Sequence, residues 1–310
     1  MNQSETILNL RAGGIDLDTS PEAFGFLRES REIVDDVDAL RQRMELDGYL
    51  YIPGFFDRED VREVRLKICE VLANEGLLNP SFPIESAIAS ESVEVAFRPD
   101  IVTKGPPRAS LEKLIYGDRI MAFYAAFLGG ESTHFDFTWL RAVSPGKGTY
   151  PHCDVVFMGR GTKNLYTAWV PLGDVPLSVG GLILVEGSHN NEAIRSGYCT
   201  FDVDTVCENK PDRPRPMEEA GHGHFGALGK DIRAIREGIG ARLLTAREFR
   251  MGDLLTFSIY TVHGSLDNGS NQIRLSSDSR YQLASDPIDE RWVGENPPGH
   301  GGESVRGMIC

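Results

Sequence analysis

The stretch "DLLTFSIYTVHGSLDNGSNQIRLSSDSRYQ", Asp253–Gln282, sets two runs rich in aromatic and β-branched residues on either side of Asn268-Gly269. Short runs of this kind, bounded by turn residues, read as strands. In the first run Leu255, Phe257, Ile259, Thr261 and His263 share one parity, so a single strand would point them all to one face. Asn-Gly favours a tight reversal, which predicts that the strands carrying His263 and Arg274 are antiparallel neighbours. "THFDFTWLRAV" from Thr133, "NLYTAWVPL" from Asn164 and "GGLILVEGS" from Gly180 have the same character. Several such strands separated by Gly, Pro, Asn or Asp predict a sandwich or barrel beyond residue 133.

Upstream the period is helical. Residues 1–30 are polar and read as an irregular arm. "EIVDDVDALRQRMEL", residues 32–46, spaces its apolar side chains for a helix. Asp57 is placed to cap a second helix, and Ser110 precedes a long helical run ended by Gly129 and Gly130. Residues 1–130 are therefore expected to be mostly helical. Residues 133–189 and 251–285 supply the core strands, within one catalytic domain spanning 1–310. Between them, 190–250 form a polar insertion whose 200–230 portion is expected to cover the barrel mouth. No internal repeat and no GxGxxG after a strand supports a dinucleotide fold.

A formal charge of −14 over 310 residues predicts a soluble protein and disfavours nucleic-acid or anionic-membrane partners, which need basic surfaces. The five cysteines (Cys69, Cys153, Cys199, Cys207 and Cys310) are scattered, with no C-x-x-C, against a disulfide framework. The first residues lack a secretory signal and no apolar run is long enough to span a bilayer, which predicts a cytoplasmic protein.

"TYPHCDVVFMGR", Thr149–Arg160, holds an H-x-D pair. On an extended chain His152 and Asp154 face one side, suiting a divalent ion. The same residues also fit a buried histidine beside a turn carboxylate. Of the seven histidines, His263 is best placed as a third ligand, closing a row of inward residues at a strand end. His222 and His224 sit among glycines in "GHGHFG", and His189 suits a structural cap. Arg274 carries a planar fork matched to a carboxylate.

Taken together, H-x-D at His152–Asp154, distal His263, Ser265 and Arg274, with "AWVPLGDVPLSVGGLILVEGSH" and "LDGYLYIPGFFDREDV", resemble the phytanoyl-CoA dioxygenase-like family of Fe(II)/2-oxoglutarate oxygenases. The likeness spans roughly residues 40–190 and 250–282. It implies a mainly β fold, a double-stranded β-helix (jelly-roll, cupin-like) core with N-terminal and peripheral helices. It implies that His152, Asp154 and His263 hold Fe(2+) and are the catalytic centre. Arg274 and Ser265 would receive the distal carboxylate of 2-oxoglutarate, with Trp169, Thr167 and Asn164 on the cosubstrate side; Lys104 is a weaker candidate. The default reaction implied is hydroxylation of an unactivated C–H bond of a small molecule by O2, with release of succinate and CO2, although desaturation, ring closure or epoxidation can use the same oxidant. A carboxylate at Asp154 fills the position that iron halogenases leave for halide. Acidity favours a free small molecule of natural-product type over a coenzyme A ester. Competing classes are a non-catalytic jelly-roll that binds a small molecule, and a metal-dependent hydrolase or isomerase using the same triad.

Overall fold

The computed structural model describes residues 9–206 and 226–300. Its strands are β1 (Arg11–Ala12), β2 (Ile15–Asp16), β3 (Phe24–Phe26), β4 (Tyr49–Ile52), β5 (Ser132–His134), β6 (Trp139–Val143) and β7 (Tyr166–Pro171). They continue as β8 (Val175–Pro176), β9 (Leu182–Val185), β10 (Leu243–Thr245), β11 (Glu248–Phe249), β12 (Leu254–Ser258), β13 (His263–Ser265) and β14 (Arg274–Leu283). One sheet runs β4-β12-β7-β14-β5, with β6 also paired to β14, and the other runs β13-β9-β10-β3. The two sheets make the jelly-roll.

Period-two alternation assigns the faces. Along β7 and β12, Trp169, Leu255 and Phe257 turn inward to meet Leu182, Leu184 and Leu244 of the opposing sheet. The intervening Ala168 and Val170 turn outward and pack under the helices. Those helices are α1 (Val37–Asp47), α2 (Arg58–Asn74), α3 (Pro99–Lys104), α4 (Arg108–Ile115) and α5 (Asp118–Leu128). Asp57 caps α2 through the amides of Glu59 and Asp60, and its row Val61, Val64, Ile68 and Leu72 is wholly buried on the large sheet. Burial of each such side chain contributes about 1.5–3 kcal/mol, so these helices hold one sheet face rigid.

Several expectations change. The N-terminal arm is not irregular, because β3 pairs in parallel with β10 and completes the smaller sheet. The first helix starts at Val37, where Asp36 accepts a hydrogen bond from Ala39, rather than at residue 32. Ser110 lies inside α4, and the run it was expected to cap is broken between Ile115 and Asp118. The insertion ends before 243, since β10 is a core strand between β9 and β3. Residues 207–225, including His222, His224 and most of the expected cover, lie outside the described residues.

The opening stretch differs most. Leu254–His263 is not one strand: β12 belongs to the large sheet, and a turn closed by Thr261 N–H to the Ser258 carbonyl (2.9 Å) passes the chain to β13 in the small one. His263 and Arg274 therefore lie in opposite sheets and not on paired neighbours. Asn268 makes the crossing, its amide donating to the carbonyls of Val143 (3.0 Å) and Gln272 (2.7 Å). A side chain spent on bracing a corner between sheets replaces the two-residue hairpin that Asn-Gly suggested.

Candidate iron and cosubstrate site

His263 opens β13, and the segment before Asp154 lies alongside it. His152 and His263 exchange both backbone hydrogen bonds at 2.9 Å, which sets their rings 4.2 Å apart. Asp154 is not extended. It has helical backbone angles and starts the short helix α6 (Val155–Met158). The turn brings its carboxylate back toward both rings, with Oδ1 3.7 Å from His152 Nε2 and 3.8 Å from His263 Nε2. All three side chains are buried, and their ligand atoms lie within 4.8 Å of one another.

The surrounding hydrogen bonds orient each donor. His152 Nδ1–H donates to the Tyr150 carbonyl (2.8 Å) and His263 Nδ1–H to the Thr261 carbonyl (3.0 Å), which leaves both Nε2 lone pairs for a metal. Burial, and then the adjacent His263, push the His152 imidazole down to about 3, and burial likewise lowers His263. Both rings are thus neutral ligands at physiological pH. Burial alone would raise the Asp154 carboxyl, but Arg280, His263 and His152 together with the Thr167 hydroxyl hold it well below the usual carboxylate range. Thr167 Oγ1 and Arg280 Nη2 (3.0 Å) both donate to Oδ2, so Oδ1 is the oxygen presented to a metal. Two neutral imidazoles and an ionised carboxylate are the donor set of non-haem Fe(II), and these residues fit that ion.

Arg274 lies at the start of β14, 1% exposed, with Nη1 donating to the Gly180 carbonyl. Gly180 adopts φ +81°, and a Cβ there would approach the Leu266 carbonyl to 2.6 Å, so only glycine presents that oxygen. Burial and the neighbouring Arg141 guanidinium push Arg274 down to about 10. Its Nε and Nη2, the Trp169 Nε1–H and the Ser276 hydroxyl are buried without a protein partner. Unpaired N–H groups on a buried guanidinium, with the Ser276 hydroxyl two residues along the same strand face, fit a carboxylate-bearing cosubstrate. Ser265 pairs with Leu182, two residues from Gly180, and accepts a hydrogen bond from the Thr149 amide (2.8 Å).

Not every candidate joins this group. Thr167 faces inward as expected but supports Asp154, which places it at the metal rather than among the orphaned donors around Arg274. Asn164 is exposed on the outer side beside Arg41, Glu45 and Phe127; it precedes β7, whose inward parity begins at Thr167. Lys104 is exposed at the end of α3. Cys153 points away from the ligands into an apolar cluster and donates to the Tyr260 carbonyl (3.3 Å). His189 braces α1 through the Glu45 carbonyl (2.9 Å), and His300 pairs with Asp204 (3.2 Å). Sequence reading missed Arg280 and the Arg141–Asp278 ion pair (2.6 Å). The signal was there: "RLSSDSR" puts Arg274, Ser276, Asp278 and Arg280 on one parity of β14.

A family model described as "Phytanoyl-CoA dioxygenase (PhyH)" matches residues 44–276. The chain belongs to the phytanoyl-CoA dioxygenase family. This member is an Fe(II)- and 2-oxoglutarate-dependent dioxygenase. It is 25% identical over 277 residues, 85% of this chain and 87% of the relative, to 1-deoxypentalenic acid 11-beta-hydroxylase of Streptomyces arenae. In fold it is similar to the carbocyclase SnoK from nogalamycin biosynthesis, with a TM-score of 0.54 and 18% identity, covering 82% of this chain and 87% of that one. EctD from S. alaskensis, solved with 2-oxoglutarate and 5-hydroxyectoine, gives a TM-score of 0.54 at 16% identity, covering 97% and 93%. No helix among the described residues is long and apolar enough to cross a membrane.

Thr167→Val keeps the shape of the side chain and removes the donor to Asp154 Oδ2. Losing such an orienting bond typically costs about 10–100-fold in metal affinity, and that loss is expected here in an Fe(II) titration against a chelator. Unchanged affinity would show that Thr167 does not orient the ligand.

Proposed function

We infer that this phytanoyl-CoA dioxygenase family protein hydroxylates an unactivated C–H bond of a small, free organic molecule of natural-product type. The observation that carries the reading is the oriented His152–Asp154–His263 set beside Arg274 and its unpartnered N–H groups. Iron with 2-oxoglutarate and O2, when bound, supplies C–H oxidation coupled to release of succinate and CO2. The protein's part is positioning. His152 and His263 through Nε2 and Asp154 through Oδ1 would hold the iron. Arg274 receives the distal carboxylate and, with the Trp169 N–H and the Ser265 hydroxyl, sets the direction in which the cosubstrate lies.

Water is held off by aromatic side chains. Phe157 stands edge-on to His152 at 5.4 Å, and Phe137, Trp139 and Trp292 pack at 4.6–5.4 Å from one another on the Arg280 side. An apolar wall of this kind favours a hydrophobic substrate body, and a 1-deoxypentalenic acid 11-beta-hydroxylase is among the relatives. We assign the described flanks of the insertion, 190–206 and 226–242, to the wall beside the metal segment. The insertion's two described ends meet at the metal segment, where Tyr198 donates to the Gly226 carbonyl and Leu228 N–H to the Pro151 carbonyl (2.8 Å).

The test is anaerobic addition of Fe(II) and 2-oxoglutarate to the folded protein. A weak visible metal-to-ligand charge-transfer band is expected. Folded, iron-loaded protein without that band would exclude the oxygenase reading and favour hydrolysis or isomerisation on the same triad.

A further inference from the structure

Arg280 supports the Asp154 carboxylate, but that contact uses only one of its nitrogens, and the side chain is 2% exposed on the inner face of β14. Its Nη2 reaches Asp154 Oδ2, its guanidinium carbon stacks 4.1 Å over the Trp139 ring, and its Nε and Nη1 have no hydrogen-bond partner. A buried guanidinium with two of its N–H-bearing nitrogens unpaired is costly unless an anion meets it.

The charges of the site, counted in pairs, show which anion is lacking. Arg141 is neutralised by Asp278 at 2.6 Å. Bound together, Asp154 and one carboxylate of 2-oxoglutarate would offset the two charges of Fe(II). Arg274 takes the cosubstrate's distal carboxylate. Once Asp154 is committed to the metal, Arg280 is the cation left without a counter-charge. Trp139 covers one face of the guanidinium but not its edge, and the edge is what a carboxylate engages with two parallel hydrogen bonds.

We propose that Arg280 is the receptor for an acid group on the oxidised substrate, so that the substrate is a monoanionic carboxylic acid with an apolar body. This rests on the oxygenase reading above. The acid end is held beside Asp154 by Arg280 while Phe137, Trp139 and Trp292 contact the body, fixing which carbon faces the metal.

The wild-type protein, loaded anaerobically with Fe(II) and 2-oxoglutarate, is titrated by calorimetry with cyclohexanecarboxylate, adamantane-1-carboxylate and their carboxamides. At least one acid is expected to bind ten times or more tightly than its amide. Compared in protein shown to hold iron, Arg280→Gln is expected to weaken that acid at least tenfold more than it weakens the matching amide. Wild-type protein that binds no acid more tightly than its amide overturns the proposal, as does an acid preference that survives in Arg280→Gln. A variant that chiefly raises the 2-oxoglutarate requirement also overturns it, assigning Arg280 to the cosubstrate instead. Should Arg280→Gln fail to fold or to hold iron, the wild-type complex with the tighter acid is crystallised. Acid oxygens on Arg280 Nε or Nη1 support the assignment, and oxygens elsewhere refute it. The charge-transfer band in wild-type protein reports the oxygenase reading alone, and the acid–amide difference reports Arg280 alone.

Discussion

Asp154→Ala is expected to lower iron-dependent succinate formation by at least about 100-fold, beyond the range seen when only an orienting partner of a ligand is lost. The carboxylate has two roles that its two oxygens separate: Oδ1 faces both histidine Nε2 atoms, and Oδ2 takes hydrogen bonds from Thr167 and Arg280. Removing it takes a ligand from the metal and the anion from a buried guanidinium. The second loss alone destabilises, since breaking one side of a buried pair costs about 3–5 kcal/mol. Thermal unfolding must therefore accompany the assay. Asp154→Asn keeps the volume and gives the control: it is expected to stay folded better than the alanine variant and still to lose most iron affinity, because a neutral amide is a weaker partner for Fe(II). Full iron binding by a folded Asp154→Ala protein would remove Asp154 from the ligand set.

Arg274→Ala is expected to act on the cosubstrate and spare the metal. Truncating one partner of a buried, hydrogen-bonded charge pair costs about 2–5 kcal/mol, so the 2-oxoglutarate concentration needed should rise on the order of a hundredfold. Iron affinity measured without 2-oxoglutarate should change little, because no hydrogen bond links Arg274 to the triad. Arg274→Lys should recover part of the loss, as a point charge without the fork geometry. The measurement is a 2-oxoglutarate titration of the anaerobic charge-transfer band. An unchanged midpoint in Arg274→Ala would take Arg274 out of the pocket.

How these residues came to be legible in the chain differs from one to the next. Asp57 and Gly129 announced helix ends because capping is a local matter, decided within a few residues. "NLYTAWVPL" was legible as a strand from its residue types, but only the packed structure showed that Trp169 turns inward while Ala168 and Val170 turn outward. H-x-D was legible as a pair, though by a route the fold does not use: Asp154 reaches His152 from a helical turn and not from a continued strand. Asn164 was misplaced because the run alone does not say which parity faces inward: it shares the outer parity of Tyr166 and Ala168, opposite to Thr167 and Trp169.

Residue type and order along the chain were enough to specify a β-rich core after a helical third, and a set of two imidazoles, one carboxylate and one arginine suited to iron and a dicarboxylate. Tertiary structure alone decided that His263 and Arg274 stand in opposite sheets, that Thr167 serves Asp154, and that Arg280 reaches the metal carboxylate. Local propensity acts over a few residues, whereas these placements depend on which strands pair across hundreds of residues and on where buried charges find partners. The first is written in any short window of the chain. The second exists only once two sheets have closed on each other and buried what they enclose.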